Sequence, residues 1–396
     1  MTASLYVHIP FCKKKCDYCD FFSIGERDRI GKSKDLSDSY IEALLKEALA
    51  YVRIYKITSW NSIYVGGGTP SLLSGEQILR LVSGLKNMVS GSSPSEITVE
   101  MNPDDVRSDF LASCKKAGVT RISMGIQALD DKALSSVHRG SSVKTIMDAL
   151  FVLKKNWQGR LSVDFMAGLP SHTYKSFESQ FEILDAFDNI DHVSLYTLTL
   201  EENTPLYRNI ENGDVEFSYD KADKMWLKGR NLLEKRGFLQ YEVSNFAKKG
   251  FESLHNQAYW LQRDYVGVGA GASGTIYDFD KKSALRWTNT KSIPAYISGV
   301  NSGLPERSIE NLDGKTLEFE FLMLGFRMLS GVSESVYERR FGSSLAGRLG
   351  ADSDSGIFFQ WQKKGLALKS VRCGDVFYSL TRRGILLLNP FLEAYL

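Results

Sequence analysis

At 396 residues, with 49 basic and 47 acidic side chains and a net charge of +2, the chain is long enough for a large core and two or three domains, yet projects no long-range field to gather nucleic acid or anionic membrane. No apolar stretch approaches the roughly 20 residues that span a bilayer, and no basic-then-apolar leader opens the chain, so the expectation is a cytosolic protein with a small polar or apolar partner. Of five cysteines, three sit in one short loop, a poor disulfide framework that suits a reducing compartment; Cys114 and Cys373 read as ordinary buried thiols.

The first apolar run, residues 5–9, leads into Cys12-Lys13-Lys14-Lys15-Cys16-Asp17-Tyr18-Cys19. Three thiols at C-x3-C-x2-C spacing, with no fourth cysteine nearby, can hold an iron-sulfur centre while leaving one iron open to bind something that reacts. A closed zinc site with His8 as fourth ligand is the competing reading. The spacing resembles the radical S-adenosylmethionine (radical SAM) signature, with Tyr18 at its aromatic position. The charged segment 25–38 lacks apolar periodicity and reads as a mobile loop beside this centre.

Between residues 3 and 200, short β-branched or aromatic runs alternate with segments of helical period. Strands are expected at 5–9, 62–65, 96–100, 121–126, 161–166 and 192–198, with crossover helices at 39–54, 75–88, 105–117, 143–155 and 174–187. That alternation predicts a parallel sheet of β/α units. Chemically useful residues follow the strands: the cysteines after the first, Gly66-Gly67-Gly68-Thr69-Pro70 after the second, Glu100 to Pro103 at the third, Gln127 at the fourth, and Asp164 with Gly168-Leu169-Pro170 at the fifth. In parallel α/β sheets ligands bind at the carboxyl ends of strands, so one rim is marked as the active face.

Composition shifts after Leu200. Residues 221–235 form an amphipathic helix, 240–263 are rich in aromatics, and the small-residue stretch 267–274 reads as close backbone packing rather than phosphate binding. Helical period returns over 315–396, with short elements at 358–363 and 376–381 and no basic recognition helix for DNA. The chain divides in this reading into a core at 1–205, an extension at 206–310 and a smaller, mostly helical C-terminal domain at 311–396, for which a winged-helix-like form is one option.

The first two hundred residues resemble the radical SAM core of the oxygen-independent coproporphyrinogen III oxidase family, an α/β fold with a partial barrel of six β/α units. The resemblance is carried by Tyr6, His8-Ile9-Pro10-Phe11-Cys12, the Gly66 to Pro70 turn, Glu100 with Asn102-Pro103, Arg121 to Gln127, His138-Arg139-Gly140, and Asp164 with Gly168-Leu169-Pro170. It implies a 4Fe-4S cluster on Cys12, Cys16 and Cys19, and S-adenosylmethionine contacts at Tyr6, Tyr18, Gly67, Gly68, Thr69, Glu100, Gln127, Arg139 and Asp164.

Two departures point to the paralogous HemW-type branch of heme chaperones: Cys19 is followed by Asp20 and Phe21 where the oxidase has a further cysteine, and only a short segment precedes Cys12. That branch carries H-N-x-x-Y-W, and this chain has His255-Asn256-Gln257-Ala258-Tyr259-Trp260. Ser273 stands where the branch has histidine. The resemblance implies heme as a further cofactor with His255 as its candidate ligand, although a histidine here can equally order a turn. It also implies recipient hemoproteins, some of them membrane-associated, and an electron donor for the cluster; the charge balance argues for no nucleic acid, and a monomer or weak dimer is the expectation. A porphyrinogen-decarboxylating oxidase and a non-catalytic cluster scaffold are the alternatives.

Overall fold

The computed structural model describes residues 1–25 and 33–396. Six parallel strands, β1 (Thr2–Ile9), β2 (Ser59–Gly67), β3 (Glu96–Met101), β4 (Arg121–Gln127), β5 (Arg160–Ala167) and β6 (His192–Thr197), lie side by side in chain order. Their odd-numbered residues, such as Leu5, Val7, Ile63, Val65, Val99, Leu161 and Val163, are buried under the helices. Their even-numbered residues form a polar inner wall, because successive side chains on a strand point to opposite faces. On β4 the odd-numbered Ser123, Gly125 and Gln127 take that face instead, and Ile122, Met124 and Ile126 are the buried set.

The crossovers are α1 (Ser33–Ile54), α2 (Gly75–Asn87), α3 (Ser108–Ala117), α4 (Asp131–Ser136) with α5 (Val143–Asn156), and α6 (Tyr174–Ser179) with α7 (Ile183–Ala186). The start of α2 is written locally: Ser74 accepts from the Gln77 amide and the Gln77 side chain bonds back to the Ser74 amide, a reciprocal cap. The single helix expected over 174–187 is broken by a 3-10 turn at Gln180–Glu182. Within the segment expected to be a mobile loop, Ser33 onward belongs to α1, and residues 26–32 lie outside the described residues.

Beyond β6 come α8 (Pro205–Glu211), α9 (Tyr219–Lys235), β7 (Leu239–Gln240), β8 (Asn245–Ala247), α10 (Leu254–Trp260), β9 (Tyr265–Val268), β10 (Ser273–Asp278), β11 (Ser283–Asn289), α11 (Ile293–Asn301) and β12 (Arg307–Leu312). These strands extend the same sheet at both edges: β8 pairs antiparallel with β6, and β9 pairs parallel with β1. The barrel is therefore partial, with order β12-β11-β10-β9-β1-β2-β3-β4-β5-β6-β8-β7. The stretch 267–274 does serve close packing: at Gly269, with φ +108°, an added Cβ would lie 2.7 Å from the His8 carbonyl oxygen.

A second core is built by α12 (Gly314–Gly325), β13 (Val332–Ser333), α13 (Glu334–Phe341), α14 (Leu345–Leu349), α15 (Ile357–Lys363), β14 (Ala367–Arg372), β15 (Asp375–Leu380) and α16 (Leu388–Glu393). It is mostly helical, with a small antiparallel sheet of order β13-β15-β14. Cys114 is buried as expected, but Cys373 is exposed. It occupies the β14–β15 turn at φ +50°, where a hairpin reversal keeps side chains in solvent.

Candidate functional site

The inner wall carries the chemistry. Cross-strand pairing places Tyr6 beside Tyr64, Glu100 beside Ser123, Gly125 beside Asp164, and Asp164 beside Ser194, so residues far apart in sequence share one concave face at the carboxyl ends of the strands. Cys12, Cys16 and Cys19 follow β1 as partly exposed free thiols. Thr69 Oγ1 donates to Cys12 Sγ at 3.5 Å, and Arg139 Nη1 donates to Cys16 Sγ at 3.6 Å. Burial pushes the Cys19 thiol up to about 11, and Cys16 and Cys12 add to the shift. A thiol so placed loses its proton when a metal cation replaces it.

Arg139 is the hub of the rim. Its Nη2 donates to Asn102 Oδ1 at 2.8 Å and to the Gly125 carbonyl at 2.6 Å, while its Nε is buried without a partner. An orphaned guanidinium donor beside three thiols suits an anionic ligand group. Tyr18 lies beside Arg139, Cys16 and Cys19, and burial raises its phenol well above the usual range. Gln127 ends β4 at φ +69°, where the ladder to β5 slips by a residue; its amide folds back over Gly125 towards Arg139.

The glycine turn is shaped by contact. Gly67 has φ +109°, and an added Cβ would meet the His8 ring at 2.5 Å, so only glycine serves there. Its N–H donates to Glu100 Oε2 at 3.0 Å, and Tyr64 donates to Glu100 Oε1 at 2.6 Å. Burial raises the Glu100 carboxyl and pushes Asp164 up to about 7, the latter held back by bonds from Ser194 and Ser123. Tyr6, Gly68 and Thr69 complete the wall: Tyr6 pairs with His8 Nδ1 at 2.9 Å, Gly68 N donates to the Ile9 carbonyl, and Thr69 Oγ1 accepts from Asn102 Nδ2 at 3.1 Å.

His8 is not placed to complete a zinc shell. Its Nε2–H donates to the Phe22 carbonyl at 2.7 Å, which leaves Nδ1 to accept from Tyr6. Among the described residues no three His, Cys, Asp or Glu side chains are gathered closely enough for one metal ion. A 4Fe-4S cluster asks for a wider set, since each thiolate meets a different iron. The donor set and the orphaned Arg139 Nε therefore fit a cluster with an anionic ligand beside it. The loop is braced from α1 and from the turn after β9, the strand next to β1: the Tyr40 hydroxyl donates to the His8 carbonyl at 3.1 Å and accepts from Ala270 N at 2.7 Å.

His255 is elsewhere. It is 1 % exposed, at the amino-terminal end of the barrel, where Nδ1–H donates to Ser62 at 2.9 Å and Nε2 accepts from Tyr259 at 2.9 Å. Ser62 in turn donates to Ser4. Burial lowers the imidazole to about 3, and Tyr64 stacks on it with centroids 5.0 Å apart. Of the two readings of this histidine, the geometry is that of a satisfied residue ordering its surroundings; it presents no free nitrogen to a macrocycle. Glu96 explains why α10 sits there: its carboxylate accepts from Ser253 Oγ and from the Leu254 and His255 amides, and pairs with Arg121 at 3.2 Å.

Sequence reasoning missed Tyr64, Tyr196 and the acceptor role of Asn102. The first two lie on even-numbered positions of β2 and β6, so the period-two signal contained them once the inner face was known.

The family model of the radical SAM superfamily matches residues 6–184. The chain is 32 % identical to "Heme chaperone HemW" of Bacillus subtilis (strain 168) over 396 residues, covering 99 % of each protein. The chain belongs to the HemW family of radical SAM proteins. It is also 33 % identical to "Heme chaperone HemW" of Haemophilus influenzae, covering 99 % of this chain and 97 % of that one. Among solved structures, the coproporphyrinogen III oxidase (HemN) of Escherichia coli, described as a radical SAM enzyme, superposes with a TM-score of 0.80 at 22 % identity, covering 100 % of this chain and 90 % of that one. That likeness shows a common fold, partial barrel and C-terminal domain included. No helix among the described residues is long and apolar enough to cross a membrane.

Proposed function

We propose that this chain is a heme chaperone that holds a 4Fe-4S cluster on Cys12, Cys16 and Cys19, binds S-adenosylmethionine across the rim, and carries heme to a recipient hemoprotein. The carrying observation is the near end-to-end match, at 32 %, to a relative named as a heme chaperone. When bound, the cluster supplies an open iron and a low-potential electron. The chain's own residues do the rest. Arg139 turns its orphaned Nε towards the ligand's carboxylate, the Gly66 to Thr69 turn brings backbone amides close without side chains in the way, and Asp164 accepts from ribose hydroxyls. Glu100, held by Tyr64 and the Gly67 amide, fixes the turn to β3 and places a carboxylate near the ligand's ammonium.

The test uses anaerobically reconstituted protein with reductant and S-adenosylmethionine, incubated with heme and separately with coproporphyrinogen III. Reversible heme binding and transfer to an apo-hemoprotein, without decarboxylated product, is the expected result. Product formation at enzyme-like rates, or no heme binding, overturns the reading.

A further inference from the structure

The heme-chaperone reading leaves open where a macrocycle sits, and the geometry at His255 does not provide the place. One cleft does. Between the mouth of the barrel and the C-terminal domain lies a cavity of about 460 Å³, within the range of about 300–1,000 Å³ typical of small-molecule sites. One wall is Trp226 and Leu227 of α9 with Val243; the other is Ile385 and Leu386 of the 3-10 turn Gly384–Leu387. Tyr196, at the carboxyl end of β6, joins it to the rim already described.

Three observations converge on this cleft. Tyr196 and Leu386, which both line it, are 40 % and 45 % exposed, and large apolar side chains grouped around a concavity mark a binding surface rather than a solvated one. The cleft falls on the seam between two separate hydrophobic cores, and at the end of the barrel where ligands bind. Tyr196 is also one inner-wall position beyond Ser194, which bonds Asp164, and the Asp164 and Glu100 carboxylates both act on its phenol. An occupant of the cleft would therefore lie next to the S-adenosylmethionine rim.

We infer that this cleft is the heme site, with the macrocycle slotted between the α9 wall and the Ile385–Leu386 wall. This rests on the heme-chaperone reading. The Trp226–Leu227 and Ile385–Leu386 walls suit a flat apolar body, and Thr197, Thr199 and Ser244 supply polar lining between them. Heme also carries two carboxylates. Asp223 lines the α9 side and repels them, whereas exposed Arg383 immediately precedes the opposite wall, its neighbour Arg382 being paired with Glu234. The carboxylates accordingly lie towards Arg383, at the solvent edge. Iron ligation through His255 is not part of this arrangement.

The experiment titrates full-length reconstituted protein with ferric heme, followed by visible absorbance. Leu386→Asp and Leu227→Asp, one on each wall, should each weaken binding by about tenfold or more, because a carboxylate placed against an apolar face must lose its hydration. Arg383→Glu should weaken heme but not the dimethyl ester of protoporphyrin IX, which lacks the charges. His255→Ala should leave heme affinity within about twofold. Wild-type affinity in both wall variants overturns the inference while sparing the chaperone reading, as does loss of binding in His255→Ala with its fold and cluster absorbance intact. A wild-type chain that binds no heme overturns both.

Discussion

Replacing Glu96 by glutamine perturbs a carboxylate at the amino-terminal end of the barrel that accepts from Ser253, Leu254 and His255 and pairs with Arg121. Glu96 is 1 % exposed and pairs with Arg121, itself 2 % exposed, at 3.2 Å, while Arg160 approaches to 3.9 Å. The glutamine keeps the shape but removes the charge, and one of its two terminal atoms becomes a donor facing donors. Breaking one partner of a buried ion pair costs about 3–5 kcal/mol, since the other charge is left uncompensated. Asp191 also lies in the field of Arg121, which retains part of the compensation and places the expected loss nearer 3 than 5 kcal/mol. Equilibrium unfolding in urea, read by circular dichroism, measures it. The double variant Glu96→Gln/Arg121→Met should recover at least half the loss, because both charges are then gone. A loss below about 1 kcal/mol, or no recovery in the double variant, refutes the account of how α10 is held.

Anaerobic reconstitution should load iron and sulfide to the level of one 4Fe-4S cluster per chain, and Cys16→Ser should abolish it; elemental analysis that finds stoichiometric zinc and no iron sinks the cluster assignment. Arg139→Ala and Glu100→Ala should each weaken S-adenosylmethionine binding by about 1.5–3 kcal/mol, one to two decades in affinity, as measured by calorimetry; unchanged affinity in both would mean the ligand lies elsewhere. Burial raises Glu47 from its ordinary 4.5 to about 7, against bonds from Tyr296, Gly269 and Asn289. The folded state therefore keeps that proton when the unfolded chain has released it, and stability falls as pH rises from about 4.5 to about 7. Glu47→Gln should flatten that slope by up to about 1.4 kcal/mol per pH unit; a slope identical to wild type between pH 5 and 7 contradicts the assignment.

The six parallel strands were legible because each is a short run of β-branched or aromatic residues ending at a turn, and the thiols, the glycine turn and Arg139 because their spacing is local. What adjoins what was not. β7 to β9 are two to four residues long, too short for a period, and their place at the sheet edges depends on partners far away in sequence. The Glu96–Arg121 pair and the Tyr64–Glu100 bond join different strands, so no single window contains either. His255 was visible as part of a motif, yet its surroundings, Ser62 below and Tyr64 stacked on the ring, come from β2. Cys373 was misjudged because a cysteine in a turn of polar and small residues carries no burial signal of its own.

The brace on the cysteine loop also sets an order of events in the cell. Tyr40 holds the His8 carbonyl on one side and the Ala270 amide on the other, and the second contact spans 230 residues. At a synthesis rate of about 5–20 residues per second, the thiols emerge from the ribosome roughly ten seconds or more before the turn that steadies them exists. A nascent chain thus displays three soft ligands on a loop held only by its local bonds, such as Cys12 N to the Ile24 carbonyl and His8 to the Phe22 carbonyl. Cluster insertion on this scaffold belongs after translation, when the last edge strands have docked and the loop has one shape to offer.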